Sequence, residues 1–191
     1  MNSIYVLSES DTIKLLEMEE VIEAVENVYR EKTLGSGKLF PMVFHEFESQ
    51  VADMDIKSGT LDDMGVYGLK LVSWFGENRK KNLPMLSGVV MLFDRETGIP
   101  LALINAEHMT GMRTGAAGAI GARYLARRDS QVMLMVGAGH QATYQIRAMQ
   151  TVFPALKKVM VFDPVNMDNA SVFVDNFGYK KENTQYIAVE N

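Results

Sequence analysis

No cysteine occurs among the 191 residues. Disulfides and thiolate metal sites are excluded, and the composition is compatible with a reducing cytoplasm. Histidine is nearly as scarce. Only three are present; His45 and His108 lie too far apart for a local metal motif, no acid-rich ligand set accompanies them, and no metal is expected. No stretch reaches the ~18 consecutive apolar residues of a membrane span. Met1-Asn2-Ser3-Ile4-Tyr5 lacks the basic start and apolar run of a secretion signal. Positive charge is in deficit too: the net charge is −5, so no global basic field exists to attract nucleic acid. The expectation is a soluble, cytoplasmic protein with neither membrane nor nucleic acid as partner.

What is present is enough for a core, with 47% hydrophobic residues. The length is long for one compact domain and short for two complete ones. Fourteen methionines read as adaptable core filling. Ile4–Leu7 reads as a short strand, followed by a turn capped by Ser10 or Asp11. From Met18 to Lys32, Val21, Ile22, Val25 and Val28 recur at helical spacing. Glu19, Glu20 and Glu23 sit early in this helix, where its dipole favours acids, and Gly35-Ser36-Gly37 stops it. Five strand-like runs follow: Val43–Phe47, Val51–Ile56, Val66–Phe75, Ser87–Phe93 and Ile99–Ile104. A charged turn at Asn78–Asn82 and a hairpin-like turn at Asp94–Gly98 separate the later ones. Short connections between consecutive strands predict an antiparallel meander rather than βαβ units.

Lys70 breaks the strand pattern. It shares a face with Gly68, Val72 and Trp74, where a buried ammonium is costly unless paired. It is either a lysine that snorkels to the sheet edge or a fixed cation for an anionic ligand. A helix rich in small residues follows, from Ala106 to Arg128. Its glycines weaken an isolated helix by about 1 kcal/mol each relative to alanine, so close packing against a sheet or ligand is the expected compensation. Thr110, Arg113 and Thr114 group at i, i+3 and i+4. Arg113 lies near the helix start, unfavourable for a cation, and reads as an anion contact or a surface ion pair. Arg123, Arg127 and Arg128 lie where the dipole accepts them.

The apolar strand Gln131–Val136 leads into Gly137-Ala138-Gly139-His140-Gln141-Ala142, a G-x-G-x-x-A turn. A helix over His140–Val152 and a second strand, Val159–Phe162, come next. Asp163 follows Gly139 by 24 residues. Strand, glycine turn, helix, strand and acid form the context of a dinucleotide fingerprint. The glycines let the backbone approach a pyrophosphate and the helix N-terminus stabilises its charge. The acid binds the ribose hydroxyls and repels a 2′-phosphate, which favours NAD over NADP. A helix over Asn166–Phe177 and a strand over Thr184–Val189 follow. A doubly wound sheet has about six strands and only two or three are expected here, so the chain reads as part of a longer protein, with a strand edge left uncovered.

Four motifs together carry a resemblance. They are Gly68-Leu69-Lys70; Asp94 with Thr97-Gly98 and Pro100-Leu101-Ala102; Thr110 with Arg113-Thr114 and Ala116-Ala117; and Gly137-Ala138-Gly139 with Gln141-Ala142. The chain resembles the amino-terminal three-fifths of the ornithine cyclodeaminase/μ-crystallin family. The resemblance implies an α/β architecture: an α+β substrate and dimerisation domain (1–128) with the meander, then the first part of a Rossmann NAD-binding domain (129–191). It implies a homodimer and a small amino-acid or cyclic-imine substrate. Lys70 would take the substrate carboxylate, and Arg113 would hold negative charge where substrate and cofactor meet. Thr110 and Thr114 would support the nicotinamide and phosphate region. Gly137, Ala138, Gly139, His140 and Gln141 would contact the pyrophosphate, and Asp163 the ribose. The family's catalytic aspartate would lie beyond Asn191, leaving no catalytic residue within this chain.

The implied activity is ornithine cyclodeamination, giving proline and ammonia through an internal hydride cycle. Alanine dehydrogenase or ketimine reductase is the alternative within the family, and a non-catalytic NAD(P)-binding protein the alternative outside enzymes. Three departures bear on substrate. Met42 stands where the family often has arginine, and Met85 where it often has threonine. Ala52 stands where ornithine-specific members place an acid, with Asp53 and Asp55 nearby as substitutes.

Overall fold

The computed structural model describes residues 3–189. Met1 and Asn2, where a secretion signal would begin, and the terminal Glu190 and Asn191 lie outside the described residues. Two compact units are distinguished. The first comprises the described residues up to Leu16 and Asn27–Thr110; the second comprises Glu17–Glu26 and the described residues from Gly111 onward.

Strand β1 (Tyr5–Leu7) leads into helix α1 (Glu9–Leu15). Ser8, not Ser10 or Asp11, is its N-cap. Ser8 is extended, its hydroxyl accepts from the Asp11 amide, and the Asp11 carboxylate accepts from the Ser8 amide. The serine-to-acid spacing of three residues sets this reciprocal cap. Helix α2 (Met18–Leu34) ends at Gly35 with φ +95°. The glycine stop therefore works as expected, but Gly37 already begins a strand, β2 (Gly37–Leu39).

The remaining strands of the first unit are β3 (Val43–Glu48), β4 (Ala52–Leu61), β5 (Val66–Phe75), β6 (Leu86–Asp94) and β7 (Pro100–Asn105). Strands β4 to β7 form the expected antiparallel meander. The full sheet runs β1-β7-β6-β5-β4-β2, with β3 also on β4. Local pattern did not reveal that β1 pairs parallel with β7 or that β2 and β3 share one strand. The charged segment between β5 and β6 is a 3-10 turn, Gly76–Lys81, closed by Asn82 at φ +54°. The β5 register sets Lys70 directly across from Lys57 on β4 and Val90 on β6, so the three share one face of the sheet.

Helix α3 (Glu107–Leu125) carries the chain from the first unit into the second. The boundary expected after residue 128 falls in the loop that follows it. Strand β8 (Val132–Val136), helix α4 (His140–Val152), strand β9 (Lys158–Phe162), helix α5 (Met167–Asn176) and strand β10 (Gln185–Ala188) then alternate. The three strands are parallel in the order β10-β9-β8. This is a βαβαβ half of a Rossmann sheet. Its core is Ile146, Val159, Val161, Ala170 and Phe177, with Met133 and Met135 packed against it. These two methionines match the core-filling reading. Parallel strands are usually covered on both faces, yet Val132, Leu134 and Val136 of β8 are exposed.

The small residues of α3 have a specific partner. A Cβ on Gly111 would lie 2.3 Å from the Tyr144 ring, one on Gly115 2.5 Å from the Tyr144 carbonyl oxygen, and one on Gly118 2.3 Å from Gln145 Oε1. The close approach inferred from sequence is therefore between two helices, α3 and α4.

Candidate functional site

Each unit carries part of the expected site. In the first, Lys70 projects from the middle of β5 and is half-buried. Its ammonium lies 3.5 Å from Thr110 Oγ1. Thr110 is fixed by the helix it sits on, its amide donating to the Ala106 carbonyl at 2.8 Å. A strand lysine and a helical hydroxyl 40 residues apart in sequence are thus neighbours. Lys57, opposite Lys70, is held at 2.6 Å by Asp55 Oδ2. One of the two acids considered for a distal substrate amine is therefore already engaged with a cation of the protein. Met42 and Met85 are both exposed.

In the second unit, β8 ends at Gly137, whose φ of +97° lies in the left-handed region. Glycine adopts this at no steric cost. The Gly137 amide donates to the Phe162 carbonyl at 2.7 Å, tying the turn to the end of β9. Gly139 is the N-cap of α4 and supplies no side-chain acceptor to the first helical amides. A Cβ built on either Gly137 or Gly139 meets nothing within 4 Å. Open space above an uncapped helix start, bounded by glycine, fits a dinucleotide pyrophosphate: amides point outward and the helix dipole favours the anion.

Asp163 has a double role in this turn. Its Oδ2 accepts from the Ala138 amide at 2.9 Å, and its Oδ1 accepts from the amides of Val165 and Asn166, each at 3.0 Å. The amides of Ala138 and then Asn166 hold the carboxyl below the usual aspartate range, against the opposing effect of burial. The acid expected at a ribose is thus an ionised, pre-positioned acceptor that also shapes the glycine turn. Each carboxylate oxygen retains further acceptor capacity.

The other expected cofactor residues divide. Gln141 Nε2 donates to the Gly111 carbonyl at 3.2 Å, so this side chain fastens α4 to α3. The Thr114 carbonyl accepts from Gln145 Nε2 at 3.1 Å. His140 is exposed and rests against the Tyr144 ring, centroids 5.1 Å apart. Arg113 is exposed on α3. Arg123, at the end of α3 where the dipole accepts a cation, pairs with Glu26 at 2.6 Å.

Sequence reasoning missed Tyr144 and Gln145, which seat α3, and Lys57, which faces Lys70. The i, i+4 glycines of α3 were the available signal for the first two. For Lys57 the signal was its alternation with Asp53 and Asp55 on β4, unusable without the register.

The sequence profile of the ornithine cyclodeaminase/mu-crystallin family matches residues 3–185. Alanine dehydrogenase of Archaeoglobus fulgidus is 38% identical over 148 residues, 78% of this chain and 45% of that protein. The structure of Thermococcus litoralis Δ1-pyrroline-2-carboxylate reductase, solved with NADH and L-proline, superposes with a TM-score of 0.90 at 37% identity, covering 98% of this chain and 57% of that one. An archaeal alanine dehydrogenase dimer with bound NAD gives 0.86 at 34% identity, covering 96% and 55%. The chain spans about half the length of these relatives. The profile covers nearly the whole chain, and the chain belongs to the ornithine cyclodeaminase/mu-crystallin family.

Proposed function

We propose that this chain is the substrate-binding and nucleotide-binding portion of an NAD-dependent enzyme that interconverts an amino acid with its imine or 2-oxo acid. The observation that carries the reading is the half-buried Lys70 ammonium, held beside the Thr110 hydroxyl, in a chain that also holds an open glycine turn. Lys70 takes the substrate carboxylate. The amides at the start of α4 hold the cofactor pyrophosphate, and Asp163 accepts from the adenosine ribose. NAD, when bound, supplies or accepts the hydride. Fixing a carboxylate at one cation restricts how the adjacent carbon is presented, and such positioning is a large part of catalysis in this class.

Dehydrogenase or imine-reductase chemistry is preferred to ornithine cyclodeamination. Alanine dehydrogenase and Δ1-pyrroline-2-carboxylate reductase are the more similar relatives, and Asp55 is engaged with Lys57. A homodimer is proposed by analogy with the archaeal alanine dehydrogenase dimer. Val43, Phe44 and Phe47 of β3, all exposed, are candidates for its cover. The test is a substrate-dependent net change in NADH with pyruvate plus ammonia, or with Δ1-pyrroline-2-carboxylate. Proline formed from ornithine with no net NADH change would replace this reading with the cyclodeaminase one.

A further inference from the structure

Within the second unit, α4 is tied to α3 by a matched pair of hydrogen bonds. Gln141 Nε2 donates to the Gly111 carbonyl at 3.2 Å, and Gln145 Nε2, one turn later, donates to the Thr114 carbonyl at 3.1 Å. A carbonyl inside a helix already accepts from the amide four residues on, so each glutamine uses the second lone pair of its acceptor. The side chain of a helical residue lies over the turn before its own Cα. Four residues after Gly111 and Thr114 stand Gly115 and Gly118, which leave both carbonyls uncovered. A Cβ at Gly118 would lie 2.3 Å from the Gln145 side-chain oxygen itself. Gln141, Tyr144 and Gln145 stand at i, i+3 and i+4 and form one ridge of α4, received by the glycines of α3.

The two bonds are alike in chemistry and length but not in place. Gln141 is the second residue of α4, so its own amide and that of His140 belong to the first turn, whose donors face outward from the helix. Gln145 lies a turn further in, where amides are used within the helix. The glycine turn is braced on its strand side by Asp163 and by the Phe162 carbonyl. On its helix side Gly139 offers no side-chain cap, and Gln141 supplies the brace. We propose that Gln141 is a positioning residue for the cofactor: by anchoring to the Gly111 carbonyl it fixes the first turn of α4, and with it the amides that receive the pyrophosphate. Gln145 makes the same bond for packing alone. The inference rests on the glycine turn as a dinucleotide site. Amides held in place beforehand need no ordering when the ligand arrives, and a helix start freed from α3 does.

The experiment is calorimetric titration of the full chain with NADH, alongside urea denaturation, for the wild type, Gln141→Met and Gln145→Met. Methionine keeps the length of glutamine and removes its donor, so the two variants lose equivalent bonds and should lose stability to a similar degree. The expected result is a Kd for NADH raised roughly 3- to 12-fold in Gln141→Met, the factor that corresponds to one neutral hydrogen bond. In Gln145→Met it should stay within about twofold of wild type. Gln141→Asn, which keeps the amide but is one methylene too short to reach α3, should weaken NADH as Gln141→Met does, and replaces it if the methionine variant does not fold. A merely structural role would lower stability in both positions and leave NADH affinity alone in both. That result, or equal weakening at the two positions, would overturn the inference while the dinucleotide reading stands. A wild type that binds no NADH would sink the dinucleotide reading itself, and the inference with it.

Discussion

The carboxylate of Asp163, at the end of β9, accepts a hydrogen bond from the Ala138 amide in the glycine turn after β8, at 2.9 Å. Two elements 25 residues apart in sequence are thereby locked together at the point where the nucleotide is proposed to bind. The side chain read from the fingerprint as a ribose acceptor is also the brace that sets the turn.

This brace makes stability depend on pH. The Ala138 and Asn166 amides lower the pKa of Asp163 in the folded protein. A carboxyl whose folded pKa is depressed contributes stability that is fully present above its unfolded pKa, about 3.9. That contribution is lost as pH falls through the lower folded value. Asp163→Asn should therefore be less stable than wild type at neutral pH, with the difference shrinking on acidification below about pH 4. Urea denaturation of both proteins across that range checks it; a difference independent of pH would assign the brace to shape alone. NADH affinity should also fall in the variant.

Lys70→Met removes the proposed carboxylate anchor and keeps the length of the side chain. A hydrogen bond to a charged group contributes about 1.5–3 kcal/mol. The expected loss in kcat/KM is thus roughly 10- to 150-fold, with unchanged far-ultraviolet circular dichroism. Lys70→Arg should restore part of it by retaining the charge. Equal loss in both variants would point to packing in β5 rather than to charge.

The glycines of α3 should separate into two classes. A Cβ at Gly111 or Gly115 meets Tyr144 at 2.3 or 2.5 Å, whereas one at Gly121 meets nothing within 4 Å. Gly115→Ala presses on backbone and should destabilise by about 1–3 kcal/mol, the usual range for overpacking. Gly121→Ala should stabilise by up to about 1 kcal/mol through helix propensity. Thermal or chemical denaturation of the two single variants decides this.

At the nucleotide turn, Gly137→Ala forces a side chain into φ +97°. It should cost about 1–2 kcal/mol in stability and weaken NADH binding. Gly139 has φ −82° and open space around it, so Gly139→Ala should fold normally. Its methyl group would nevertheless stand where the backbone must approach the pyrophosphate, and NADH affinity should fall without loss of stability. A normal NADH affinity in Gly139→Ala would remove the pyrophosphate from this turn.

Much of the fold was legible because it is local. Helix α4 begins at His140 and ends at Val152 as read, since its start is fixed by the glycine turn and its face by 3.6-residue periodicity. Strand β5 likewise runs Val66–Phe75, bounded by Gly65 on one side and the charged turn on the other. The α1 cap lies at Ser8 rather than at Ser10 or Asp11, because all three residues have capping chemistry and only backbone dihedrals choose among them. Strand β2 was missed because three residues after a glycine stop carry no periodicity.

The sequence by itself determined the alternation of strands and helices, the dinucleotide turn with its glycines and acid, and the anomaly of a lysine in an apolar strand. Apart from the acid, which follows Gly139 by 24 residues and was read from the strand-turn-helix-strand order, these depend on residues within one turn or strand of each other. Tertiary structure alone decided what those residues face. It set Lys57 opposite Lys70 by strand register, paired β1 with β7, gave the α3 glycines Tyr144 and Gln145 as partners, and engaged Asp163 with Ala138. Register and packing are set by contacts between segments far apart in the chain. A single-residue shift in register would send every side chain of a strand to the other face, so residue spacing within one segment cannot specify them.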